Sequence, residues 1–178
     1  GLRRPRVDVD LVVLRDRLET AGSFAVAAGD ASALLAAIRS LPYDGGTCLG
    51  CLGRQPGATT PDLYLLFSDG VSTFGGDAPG ELGAPLWAVT ADPAADHPTL
   101  RGIALATGGG TVNLNRTALP AAVAAIGSAA FSFLSASVEP AGAAELVPGL
   151  PQPVTGRLTL VGRLSGPAAR VTVRYGVA

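Results

Sequence analysis

From residue 7 to about residue 130, short apolar runs alternate with helix-forming stretches; beyond that point the helices stop. Residues 7–15, VDVDLVVLR, pass from alternation at Val7, Val9 and Leu11 into a continuous apolar run, the pattern of a strand buried on both faces. Residues 23–27, SFAVA, read as a second short strand. In GDASALLAAIRSL, Asp30 is placed to cap a helix whose Leu34, Leu35 and Ile38 share one face. A further short helix is expected to begin within residues 47–53. Residues 62–67, DLYLLF, and 85–90, PLWAVT, are strands. ADHPTLRGIALATGGG is a helix, with Asp96 as its cap, Pro98 in its first turn and Gly108 to Gly110 ending it. TVNLN is a short strand, and TALPAAVAAIGSAA a final helix with Pro120 near its start. Such alternation predicts an α/β domain over residues 1–130: a Rossmann-like, doubly wound, mainly parallel sheet with helices on both faces. FSFLSASVEP, AAELVPG, GRLTLVGRL and ARVTVRYGV then follow one another across Gly/Pro turns, which predicts a small antiparallel β segment over residues 131–178.

A chain of 178 residues buries enough surface to fold without a disulfide or metal staple. The basic residues number 13 and are all arginine, which we read as GC-rich codon usage, and the formal net charge is −1. Phosphate recognition needs clustered positive charge, and Arg3, Arg4 and Arg6 form the one basic cluster, so nucleic acid is not an expected partner. No apolar run approaches 18 residues, so no membrane-spanning helix is expected. The absence of methionine implies a processed product or a piece of something longer.

The strongest chemical signal is Leu63-Tyr64-Leu65-Leu66-Phe67 running into Ser68-Asp69-Gly70. Ligands of parallel sheets bind outside the carboxyl ends of the strands, and Asp69 sits at such an end. Thr47, after Tyr43-Asp44-Gly45-Gly46, lies on a turn that enters a helix, the other typical position. LPYDGGTCLGCL followed by DLYLLFSDGVSTFG, and then PLWAVTADPAADHPTLRGIALATGGGTVNLN, resembles the von Willebrand factor A domain of bacterial proteins that pair it with a VIT domain, as in the inter-alpha-trypsin inhibitor heavy chains. The resemblance spans residues 7–127. It implies a protein-interaction or adhesion module, not an enzyme, with a metal-ion-dependent adhesion site for Mg²⁺ or Mn²⁺ in which Thr47 and Asp69 match two of the ligands. It also implies an extracytoplasmic or cell-surface location and a protein ligand. The D-x-S-x-S motif and first strand of that family are not in the sequence, so the site is expected to be incomplete or degenerate. Self-association through unpaired sheet edges is a further expectation.

Cys48-Leu49-Gly50-Cys51 is a C-x-x-C that follows a turn, as a thiol redox site would. No second pair accompanies it to make a zinc site. Two packed free cysteines are the expectation, with thiol redox chemistry, or a purely structural fragment, as the alternatives to adhesion. His97, the sole histidine, has no G-x-S-x-G to serve, so a structural role beside a helix N-terminus is expected. Asp44 is expected to cap its turn.

Overall fold

The computed structural model describes residues 6–42, 44–53, 61–76, 79–127, 131–139, 146–149, 152–154, 157–163, 166 and 168–177. The chain divides into two compact units, Gly1–Gly53 with Ser72–Gly80, and Arg54–Val71 with Glu81–Ala178.

In the first unit, β1 (Val7–Leu14) and β2 (Leu18–Val26) form an antiparallel hairpin. Three residues separate them, too few for the crossover that a parallel pair requires. Gly22 sits opposite Leu11 and Thr20 opposite Val12, so the register slips by one residue there, a β-bulge. The expectation of a strand buried on both faces is corrected: Val7 and Val12 are exposed, and no residue of β1 is fully buried. β2 also begins earlier than expected, at Leu18, because its first half, Leu18 to Gly22, carries Glu19 and Thr20 and lacks the apolar alternation of Phe24 and Val26. The N-cap of helix α1 (Ser32–Ser40) is Ala31, not Asp30. Asp30 stands one residue further out, where its carboxylate accepts from the Ser32 amide and hydroxyl. These two bonds, the hydroxyl's first, hold its pKa below the ordinary carboxylate value. The short helix expected within residues 47–53 is a single 3-10 turn, Leu49–Cys51.

In the second unit, β3 (Tyr64–Phe67), β4 (Leu86–Thr90) and β5 (Thr111–Asn113) form a parallel three-stranded sheet in the order β3-β4-β5. β4 and β5 are linked by α2 (His97–Ala106), and α3 (Leu119–Gly127) follows β5. Val89, Val112 and Ala122 are buried together, with Trp87, Leu114 and Ile126 packed against them, so α3 covers that face. Strand alternation turns Leu86 and Ala88, both fully buried, to the opposite face, which α2 covers with Leu100, Ile103 and Ala104. The α/β class is therefore present, with its parallel core reduced to three strands and accompanied by antiparallel pairs. β3 is an edge of its sheet, and Leu65 and Phe67 are 48% and 71% exposed.

From residue 131, β6 (Phe131–Glu139) pairs antiparallel with β7 (Gln152–Pro153) and β8 (Arg170–Val177), in the order β7-β6-β8. The alternating stretch 156–164 does not supply the expected strand: among its described residues, Val161 makes one isolated bridge, to Val147. The residue after Val147 is Pro148, which has no N–H to extend a ladder.

Candidate functional site

Asp69 follows β3 at the carboxyl end of the parallel sheet, and its side chain is exposed. Two local bonds shape the turn. Ser68 Oγ accepts from the Gly70 amide at 3.0 Å, and Asp69 Oδ1 accepts from the Val71 amide at 2.9 Å. Gly70 has φ +80°, and a Cβ there would lie 2.7 Å from the Asp96 carbonyl oxygen and 2.8 Å from Leu100 Cγ. Only glycine fits the turn that presents Asp69. The Asp69 carbonyl in turn accepts from the Asp96 amide at 2.7 Å, which fixes the start of α2 against the end of β3.

Asp96 caps α2 as expected: its carboxylate accepts from the Thr99 amide at 3.0 Å and the Thr99 hydroxyl at 2.9 Å. The amide bond first, then the hydroxyl bond, lowers the Asp96 pKa from its ordinary value. His97 is tied structurally, its Nε2 lying 3.3 Å from Asn113 Nδ2.

Beside Asp69 lies an open hollow of about 360 Å³, lined by residues including Phe67, Ser68, Thr90, Asp92 and Leu114. Thr90 is buried, and its Oγ1 accepts from the Asp92 amide at 3.2 Å. Asp92 Oδ1 accepts from the Ala94 amide at 2.8 Å, so the β4 end repeats the carboxylate turn of the β3 end. β5 is tied into the same rim by Leu114 N–H to the Thr90 carbonyl and Asn115 Nδ2 to the Ala91 carbonyl, both 2.8 Å. Asp92 did not stand out in the sequence, although its position just beyond a parallel strand is the signal that singled out Asp69.

Thr47 belongs to the first unit and Asp69 to the second. The Thr47 amide donates to Thr73 Oγ1 at 2.7 Å, and its carbonyl accepts from the Thr73 and Phe74 amides at 2.8 and 3.0 Å. Its side-chain hydroxyl takes no part in these bonds. Asp44, expected to cap its turn, forms an ion pair with Arg15, Nη2 to Oδ1 3.5 Å.

Cys48 and Cys51 are joined by a disulfide, which corrects the expectation of free thiols. Cys48 is 5% exposed and Cys51 half-buried. Among the described residues, no group of three or more His, Cys, Asp or Glu side chains is placed to hold a metal ion. A carboxylate and a hydroxyl are donors of the right kind for Mg²⁺ or Mn²⁺, but the two side chains are too few to replace much of a six-ligand shell. Among the described residues, no helix is long and apolar enough to cross a membrane. No family model, curated protein or solved structure matches the chain.

Proposed function

We propose that the chain is a protein-interaction module of the von Willebrand A type, with an incomplete adhesion site in which Asp69 is the principal contact group. The observation that carries this reading is the presentation of Asp69: an exposed carboxylate on a glycine-dependent turn, at the carboxyl end of a parallel strand, beside an open hollow with an apolar wall. A rigid carboxylate next to Phe67 and Leu114 gives a protein partner one charged anchor and an apolar contact. In this reading Asp69 would offer an oxygen ligand to Mg²⁺ or Mn²⁺, and when bound the ion would supply a positive charge that an acidic side chain of the partner completes. The remaining ligands would come from groups other than Asp69. The exposed Leu65 and Phe67 on the β3 edge make self-association the second expected contact. An extracytoplasmic or surface location accords with a disulfide, which persists in oxidising compartments.

The test is a thermal melt with and without millimolar Mg²⁺ or Mn²⁺, on the wild type, Asp69→Ala and Thr47→Ala. A ligand present at a hundredfold excess over its Kd stabilises the folded state by about 2.7 kcal/mol, or about 5–11 °C for a chain of this size. A shift in the wild type that Asp69→Ala loses supports the site, and the Thr47→Ala melt tests separately whether that hydroxyl contributes. No shift in the wild type removes the metal from the reading. A shift that Asp69→Ala retains removes Asp69.

A further inference from the structure

The C-x-x-C pair occupies a tightly bonded place in the first unit, and the proposed adhesion function does not use it. The disulfide spans the single turn Leu49–Cys51, whose ends are already joined by the Cys51 amide donating to the Cys48 carbonyl at 3.0 Å. It therefore closes a loop of only four residues and ties no distant parts of the chain together. The turn it closes is held by successive amides. Cys48 N–H donates to the Arg15 carbonyl at 2.7 Å, Leu49 N–H to Ser72 Oγ at 3.1 Å and Gly50 N–H to the Gly76 carbonyl at 2.7 Å. A Cβ on Gly50 would lie 2.4 Å from that Gly76 oxygen, so the two loops meet backbone to backbone. With the Thr47 bonds to Thr73 and Phe74, residues 47–50 are stitched to residues 72–76.

The two sulfurs differ in access. Cys48 is buried, and Cys51 is partly exposed. The Asp16 carbonyl oxygen lies 3.4 Å from Cys51 Sγ, placed to accept the S–H that reduction would create. The open form thus has a partner waiting for its new donor.

We propose that Cys48–Cys51 is a thiol–disulfide exchange site, acted on by a dithiol reductant, and that its reduction loosens the clasp between residues 47–52 and 72–76. A thiolate of the reductant attacks Cys51 Sγ and forms a mixed disulfide. The protein S–S bond breaks, and Cys48 leaves with the electron pair and takes up a proton. The reductant's second thiol attacks the mixed disulfide, closes its own disulfide and releases Cys51, which is protonated in turn. Two electrons pass from the reductant to the protein. The inference is independent of any ligand role for Thr47.

The experiment compares the native protein with the same protein incubated in dithiothreitol without denaturant. Iodoacetamide trapping and mass spectrometry count the free thiols, and amide hydrogen exchange is then followed in both states. The expected result is two alkylated cysteines after reduction. Amides of residues 47–52, 73 and 74 then exchange roughly tenfold faster or more, while those pairing β1 with β2 keep their protection. The double variant Cys48→Ser/Cys51→Ser should show the reduced pattern without reductant. The proposal is overturned if the cysteines are already free in the air-purified protein, or if they yield to dithiothreitol only in denaturant. It is equally overturned if reduction leaves exchange at 47–52 unchanged, or if the β1–β2 hairpin loses protection together with the clasp.

Discussion

Gly70→Ala is expected to destabilise the second unit strongly, and the cost follows from two separate effects. The backbone stands at φ +80°, where an L side chain costs on the order of 1–2 kcal/mol. The new Cβ would also meet the Asp96 carbonyl oxygen at 2.7 Å and Leu100 Cγ at 2.8 Å. Neither neighbour yields readily: the first is backbone at the cap of α2, and the second belongs to a side chain 1% exposed. Overpacking of this kind costs about 1–3 kcal/mol, giving a total of roughly 2–5 kcal/mol. Gly102→Ala is the matched control. Gly102 lies in α2 with open space around its Cβ position, so alanine there should stabilise by about 0.5–1 kcal/mol. The assay is urea unfolding followed by tryptophan fluorescence. Trp87, the sole tryptophan, lies on β4 and reports on the unit that holds both glycines. The two midpoints should move in opposite directions at unchanged slope. If Gly70→Ala is as stable as Gly102→Ala, the turn that presents Asp69 is not shaped by close packing against α2, and the rigid-carboxylate argument fails with it.

Asp96→Asn keeps a side chain able to cap a helix but removes its titration. Folding lowers the Asp96 pKa, so the unfolded chain binds that proton more tightly; the stabilisation is complete above the ordinary carboxylate pKa and is lost as pH falls through the folded one. The variant should match the wild type near neutrality and lose stability less steeply in acid, measured as the urea midpoint from pH 7 down to pH 3; an unchanged acid limb would refute the capping role. Phe67→Ser removes a side chain 71% exposed at a sheet edge, so it should change stability by only about 0.5 kcal/mol or less while shifting concentration-dependent sedimentation toward monomer. Identical sedimentation of variant and wild type would exclude this edge as the self-association surface.

Features legible in the sequence are those decided within a few residues. Asp96 followed by Pro98 and Thr99 marks the start of α2 because capping is a contact across three residues. The Leu63–Phe67 run and the Ser68-Asp69-Gly70 stop mark β3 and its turn for the same reason. Asp30 fell one residue outside its helix because Ser32 competes for it through a local Asx turn, an equally short-range alternative. What escaped depends on distant partners. The antiparallel pairing of β1 with β2 hides in residues 16–20, where Asp16, Arg17, Glu19 and Thr20 interrupt the apolar pattern that would have marked a longer second strand. The disulfide depends on the turn that brings Cys48 and Cys51 Cα atoms to 5.2 Å, which spacing alone does not fix. The bonds from residues 47–50 to 72–76 span more than 20 positions of sequence, and no periodicity encodes them.

The end of β3 and the start of α2 are one structural event. The Asp69 carbonyl receives the Asp96 amide, the Asp96 carbonyl closes off space at Gly70, and the Asp96 carboxylate holds the first turn of α2 through Thr99. A helix N-terminus leaves four amides to be satisfied; here one of them goes to the Asp96 side chain, while the amide of Asp96 itself is anchored on the turn that follows β3. Asp69 can therefore stand exposed without being loose. Its backbone is held from the α2 side, its own Oδ1 is engaged by Val71, and the glycine behind it admits no other residue. A surface carboxylate usually contributes little to recognition, because ordering it costs side-chain and backbone entropy at the moment of binding. At Asp69 part of that ordering is already completed by folding, and the backbone bond to Asp96 and the close packing at Gly70 are the physical grounds on which this carboxylate is proposed as the contact group.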